Sequence, residues 1–113
     1  MRGLKIQNVW IRKILSEEKT MEVRSRRYDV LGQRIALGNS GNGLVEGYAT
    51  VKEIVEIPLS KIPKYESKHL ATEWLLKQYG DKEALYGYCL INVKKETKPF
   101  MYTKNRSVWF TLM

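Results

Sequence analysis

Residues 20–24, Thr20-Met21-Glu22-Val23-Arg24, alternate strictly between polar and apolar side chains, the pattern of a half-buried β-strand. On a strand, Glu22 and Arg24 share one face with their Cα atoms roughly 6.6 Å apart. An acceptor and a planar fork of donors then point into the same space. A carboxylate accepts from a base amino group or ring N–H, and a guanidinium grips a phosphate or a guanine edge. Lys19 stands just ahead of this strand. Strand parity would set it beside core-facing Met21, a poor place for an ammonium, so it is assigned to the preceding turn. The plainer alternative for Glu22 and Arg24 is a surface ion pair that contributes little.

Bases are held by stacking as well as by hydrogen bonds. Tyr28, Tyr48, Tyr86, Tyr88, Tyr102 and Trp109 are the candidates, and Tyr86, Tyr88 and Trp109 stand opposite the most apolar alternation. Trp10 and Trp74 fall on helical stripes and are assigned to the core. Arg26, Arg27, Arg34, Lys94, Lys95, Lys98, Lys104 and Arg106 supply a rim suited to phosphates. If the chain is an enzyme, Lys19, its pKa lowered by burial near Arg24, is the candidate base and Glu22 the candidate acid. A nuclease using Lys19, Tyr28 or Ser40 is also open. A single histidine, His69, excludes a paired-histidine mechanism, and no metal-ligand cluster or cofactor motif is visible. His69 itself is expected at a helix start or behind the site. Cys89, the only cysteine, lies in an apolar alternating run and reads as a buried structural thiol. It allows no internal disulfide, which fits a reducing, cytoplasmic compartment.

At 113 residues, 43% hydrophobic and 28% charged, the chain is expected to be one folded domain, 1–113, and not a disordered tail. No window is apolar enough for a signal peptide or a membrane span, so no membrane partner is expected. The net charge of +8 is unevenly spread. Residues 1–34 hold nine Lys/Arg against four Asp/Glu, residues 35–93 six against seven, and residues 94–113 five against one. If the fold joins the two ends, they make one positive face attractive to polyanions.

The elements follow from pattern. Asn8 is the expected N-cap of a short helix with Trp10, Ile11, Ile14 and Leu15 on one stripe. Strands are expected at 20–24, at 34–37, along 45–57, at 86–93 and at 108–112, with a Gly/Asn-rich turn over 38–43. A second helix is expected from Ser67 to Tyr79, stopped by Gly80. The sum is an α+β protein: a small mixed β-barrel, closed or nearly so, of about five or six strands with two or three flanking helices.

The stretch from Ile14 to Arg26 resembles the hallmark of ASCH domains, members of the PUA-like superfamily: a Gly, a Lys two residues on, a Glu three beyond and an Arg two after that. Lys19, Glu22 and Arg24 fill the last three places, while Glu17 stands where the glycine is usual. The resemblance runs from about Leu4 to Met113, through Gly32–Leu37, Gly43–Gly47, His69, Tyr86-Gly87-Tyr88, and Lys98-Pro99 with Trp109. It implies a PUA-like barrel with a cleft beside the motif strand. The implied function is binding of RNA, another nucleic acid or a modified or flipped nucleotide. The residues implied are Lys19, Glu22, Arg24, Arg26, Tyr28, Arg34, Ser40, Tyr86, Tyr88, Lys104 and Trp109. The alternative it carries is a hydrolase acting on a modified nucleoside, or a ribonuclease, with Lys19 and Glu22 catalytic. In amidohydrolase-like relatives a threonine nucleophile occupies the place of Glu22. A protein-interaction domain with a vestigial cleft is the third possibility.

Overall fold

The computed structural model describes residues 1–113. In chain order the elements are β1 (Arg2–Ile6), α1 (Asn8–Leu15), β2 (Met21–Arg24), β3 (Arg34–Asn39) and β4 (Leu44–Pro58). A 3-10 helix (Leu59–Tyr65) follows, then α2 (Glu66–His69), α3 (Thr72–Tyr79), β5 (Ala84–Met101) and β6 (Trp109–Thr111). All six strands form one mixed sheet in the order β2-β5-β4-β3-β1-β6. Only β1 and β3 pair in parallel, because α1 and β2 intervene as a crossover.

The sheet is bent by its two longest strands. Between β4 and β5 the register shifts at Val45/Gly47, Tyr48/Thr50 and Val51/Glu53, and Asn92 adopts φ 52°. Each irregularity adds local twist. The twist brings the edge strand β2 close enough to β1 for the Arg24 guanidinium to reach the carbonyl of Lys5 at 2.7 Å. The two sheet edges, β2 and β6, do not pair with each other. The architecture is therefore a coiled, open α+β sheet, and closure into a full barrel does not occur.

The core lies on both sides of that sheet. One cluster packs α1, through Ile11, Ile14 and Leu15, against Leu4, Ile35, Leu37, Ala49, Val51, Tyr88 and Leu90. Leu15 comes so near β4 that a Cβ on Gly47 would lie 2.5 Å from its Cδ2. The second cluster joins Met21, Val23, Ile57 and Leu85 to Ile62, Ala71 and Leu75 of the helical segment. Met21 and Val23 of β2 face this second cluster, and Glu22 on the opposite face is 5% exposed.

Three local expectations change. Asn8 is the first residue of α1, not its cap; Gln7 precedes the helix without a side-chain bond, and the Asn8 side-chain Oδ1 accepts from Arg12 and Asn39. The helix expected over 67–79 breaks at Leu70, whose φ is 59°. The break is enforced by tertiary contacts of His69, described below. On β5 the alternation holds but both faces are covered: Tyr86, Tyr88 and Leu90 pack on the first cluster, while Leu85, Gly87 and Cys89 face the second. Tyr88 consequently turns inward and is 2% exposed.

Candidate functional site

The turn between α1 and β2 begins with a conformational cost. Glu17 sits at φ 65°, the left-handed conformation that glycine adopts freely and other residues reluctantly. The last carbonyls of α1 remain satisfied: Ser16 N–H donates to Arg12, Glu17 N–H to Ile14, and Lys19 N–H to Lys13 at 3.0 Å. This reversal delivers Lys19 into the interior, where it is 2% exposed.

There the Lys19 ammonium donates to the carbonyl of His69 at 2.5 Å, lies 3.5 Å from Glu22 Oε1, and sits 5.0 Å from the centre of the Trp10 ring. Burial pushes its pKa below the usual lysine range, against the opposing pull of Glu22. Glu22 Oε2 accepts a hydrogen bond from Arg24 Nε at 3.0 Å and lies 2.8 Å from Arg24 Nη2 as an ion pair. Arg24 Nη2 also donates to the Lys5 carbonyl. Two cations and one anion therefore make a connected triad, largely withdrawn from water and unlike a surface pair. Its hydrogen bonds leave Glu22 Oε1 shared only loosely with Lys19, and Arg24 Nη1 without a protein acceptor.

Lys19, Glu22 and Arg24 line a cleft of about 160 Å³. Its floor is Lys19, Glu22, Val23 and Arg24; one side is Lys5, Gln7 and Ser40; the other is Trp10 with Ala71, Trp74, Leu75 and Tyr79 from the face of α3. Trp10 and Trp74 meet edge to face with centroids 6.0 Å apart, and Trp74 meets Tyr79 likewise at 6.1 Å. Ser40 is carried to the rim by the turn after β3. Buried Asn39 anchors that turn, donating to Glu46 Oε1 and Asn8 Oδ1 at 2.8 Å each, while Arg12 reaches Glu46 Oε2 at 2.6 Å.

Of the residues singled out by sequence, Lys19, Glu22, Arg24 and Ser40 come together in the cleft. The others lie elsewhere. The Tyr88 hydroxyl donates to the Arg26 carbonyl at 2.6 Å and accepts from the Tyr28 N–H at 2.8 Å, so it ties down the loop after β2. Tyr28 packs against Tyr88 and edge-on to Trp109, and Tyr86 lies against the same core cluster. Arg34 donates to Thr50 Oγ1 and to the Asn92 carbonyl on the β3–β4 surface. Arg26 and Lys104 are exposed; Lys104 neighbours Asn105, whose carbonyl and side chain hold the Lys5 ammonium at 2.7 and 2.8 Å.

Trp10 and Trp74, assigned to the core, pack against the buried clusters and also line the cleft, beside Lys5, Gln7 and Tyr79, which the sequence did not mark. The available signal was position: Trp10 leads the helix that runs into the motif, and Ala71, Trp74, Leu75 and Tyr79 fall on one helical face. No histidine, cysteine and carboxylate cluster able to hold a metal ion is present. No helix is long and apolar enough to cross a membrane.

No protein-family model matches the chain, and no curated protein does. Solved structures do. A crystal structure of ASCH from Zymomonas mobilis superposes with a TM-score of 0.74 at 20% identity, over 83% of this chain and 68% of that one. A serine-to-alanine variant of the Zymomonas mobilis protein gives 0.78 at 20% identity, over 88% and 72%. A tyrosine-to-phenylalanine variant gives 0.77 at 20%, over 88% and 74%. Strand order, the motif turn and these superpositions agree that the chain has the fold of an ASCH domain.

Proposed function

We propose that the cleft binds one nucleotide of a single-stranded RNA, or of a related nucleic acid. The observation that supports this best is the floor of the cleft. Arg24 keeps a donor edge and Glu22 an acceptor oxygen, side by side, beneath a wall of Trp10, Trp74 and Tyr79. A base edge presents donors next to acceptors, and its flat face suits aromatic walls. The cleft is smaller than the roughly 300–1,000 Å³ of a drug-sized pocket. It suits a single ring system and not a duplex. Lys5 and the exposed Lys104 and Arg106 of the adjoining loop supply positive charge for the flanking phosphates.

A second reading, hydrolysis of a modified nucleoside, draws on Lys19, whose depressed pKa would suit a base. Its ammonium is already committed to the His69 carbonyl, which favours binding over catalysis.

The test is fluorescence anisotropy of short labelled single-stranded RNA and DNA at two salt concentrations, with Arg24→Gln alongside. Expected is salt-sensitive binding weakened about tenfold or more in the variant, as for loss of a charged hydrogen bond. Salt-sensitive binding unchanged in a folded Arg24→Gln protein would reduce the affinity to surface charge and overturn the cleft assignment.

A further inference from the structure

The α2–α3 junction is held by one side chain that touches no surface. His69 is 0% exposed. Its Nδ1 accepts from the Ala71 N–H at 2.9 Å, and its Nε2 stands 2.9 Å from the Ile62 carbonyl of the 3-10 helix. A backbone N–H can only donate and a carbonyl can only accept. The ring is therefore neutral, with its proton on Nε2. Ala71 starts α3 without a side-chain cap of its own, and the Leu75 N–H donates to the Ala71 carbonyl at 2.8 Å. His69 thus fixes the N-cap residue of the helix whose face forms the cleft wall.

The same break frees two carbonyls that a continuous helix would consume. Both go to the motif turn: Thr20 N–H donates to Lys68 at 2.9 Å, and the Lys19 ammonium to His69 at 2.5 Å. Leu70 pays for the break with a left-handed φ of 59°. The cleft wall and the cleft floor are joined through this single residue.

We infer that His69 is a positioning residue of the cleft: its neutral ring locks the α2–α3 break, which sets Trp74 against Trp10 and gives Lys19 its acceptor. Protonation at Nδ1 would remove the acceptor and set one N–H against another at Ala71. The charged groups facing the ring are Lys19 from the motif turn and Glu66 from α2, whose Oε2 is 4.0 Å from Nδ1; the 3-10 helix and α3 meet it with backbone groups. Burial above all, then Lys19, lowers the His69 pKa below the ordinary 6.5, against the Ile62 bond and Glu66. The wall holds at neutral pH and gives way only on acidification beneath that range. For ligand affinity the inference rests on the nucleic-acid reading above; for the geometry of the wall it does not.

The experiment is a pH series from about 7.5 down to the pH at which the far-ultraviolet signal is lost, on Trp109→Phe protein, which leaves Trp10 and Trp74 as the only tryptophans; a band that persists until global unfolding overturns the inference. Near-ultraviolet circular dichroism reports the Trp10–Trp74 pair, and anisotropy reports a labelled single-stranded RNA of mixed sequence. Expected in the His69 protein is loss of the dichroic band and an affinity drop of about tenfold over the acid limb, with far-ultraviolet signal retained. His69→Asn keeps an oxygen where Nδ1 accepts and does not titrate, so both acid limbs should vanish while neutral-pH signals persist. His69→Ala should lose the band at every pH. An acid limb in His69→Asn equal to that of the His69 protein overturns the inference, as does a folded His69→Ala protein with the full band. If RNA fails to bind yet the band behaves as expected, the nucleic-acid reading falls and the positioning role stands.

Discussion

A buried charge costs most when it stands alone, and the motif side chains avoid that by pairing around Glu22. Its carboxylate is 7% exposed and lies between the Lys19 ammonium and the Arg24 guanidinium. Replacing it with the isosteric glutamine would leave two cations withdrawn from water with no counter-charge. Glu22→Gln should therefore lose about 3–5 kcal/mol in urea denaturation, the range for breaking a buried pair. A loss under about 1 kcal/mol would mean that water screens the triad. The shared face of Glu22 and Arg24 was readable from alternation, since Met21 and Val23 do face the core, while Lys19 joined them through the resemblance to the ASCH motif. The burial of Lys19 was not readable. It depends on the His69 carbonyl, 50 residues away, which no local pattern reveals.

Among the elements, the α1–β2 turn carries the clearest strain. Glu17 holds the glycine-like φ of 65°, it is exposed, and its carboxylate lies at a helix C-terminus, where the dipole disfavours negative charge. Glu17→Gly should relieve the left-handed cost and stabilise the protein by about 1 kcal/mol, read as a higher urea midpoint with unchanged slope. Unchanged or lower stability would show that the turn is set by its hydrogen bonds to Arg12, Lys13 and Ile14 alone. Strand positions were legible at this scale because apolar alternation marks β2 and the first half of β4, and β3 is a short apolar run, Ile35-Ala36-Leu37, between Gly32 and the Gly/Asn-rich turn. Two features escaped. The face of β5 that carries Tyr86, Tyr88 and Leu90 is covered by the cluster built on α1 and β3, so Tyr88 lies in the core and not on a stacking face. The helix read as continuous over 67–79 has good periodicity on both sides of Leu70, and it is broken by contacts from outside the segment.

Over the whole molecule, the two basic ends meet. β1 pairs with β6 through Arg2–Thr111, Gly3–Phe110 and Leu4–Trp109, and the Met1 ammonium donates to Leu112. The two ends of the segments that carry the charge excess, 1–34 and 94–113, thus meet, which composition could state only as a condition on the fold. A net charge of +8 also means self-repulsion, which grows as carboxylates protonate in acid. Superposed on that general effect is a specific one at Glu46, where α1 meets the β3–β4 turn. Burial alone would raise its pKa, but hydrogen bonds from Asn39, Arg12 and Asn42 prevail and hold it below the usual 4.5. With the folded value depressed, its contribution is complete above the unfolded value and disappears as pH falls through the folded one. Arg12 is half exposed, so the contribution should stay near 1 kcal/mol. Glu46→Gln keeps the shape and removes the titration, while the repulsion common to both proteins remains. The gap between their thermal midpoints should therefore be widest near pH 6 and close as pH approaches 3. A gap that stays constant across that window would assign the Glu46 network to shape alone, with no part for its charge.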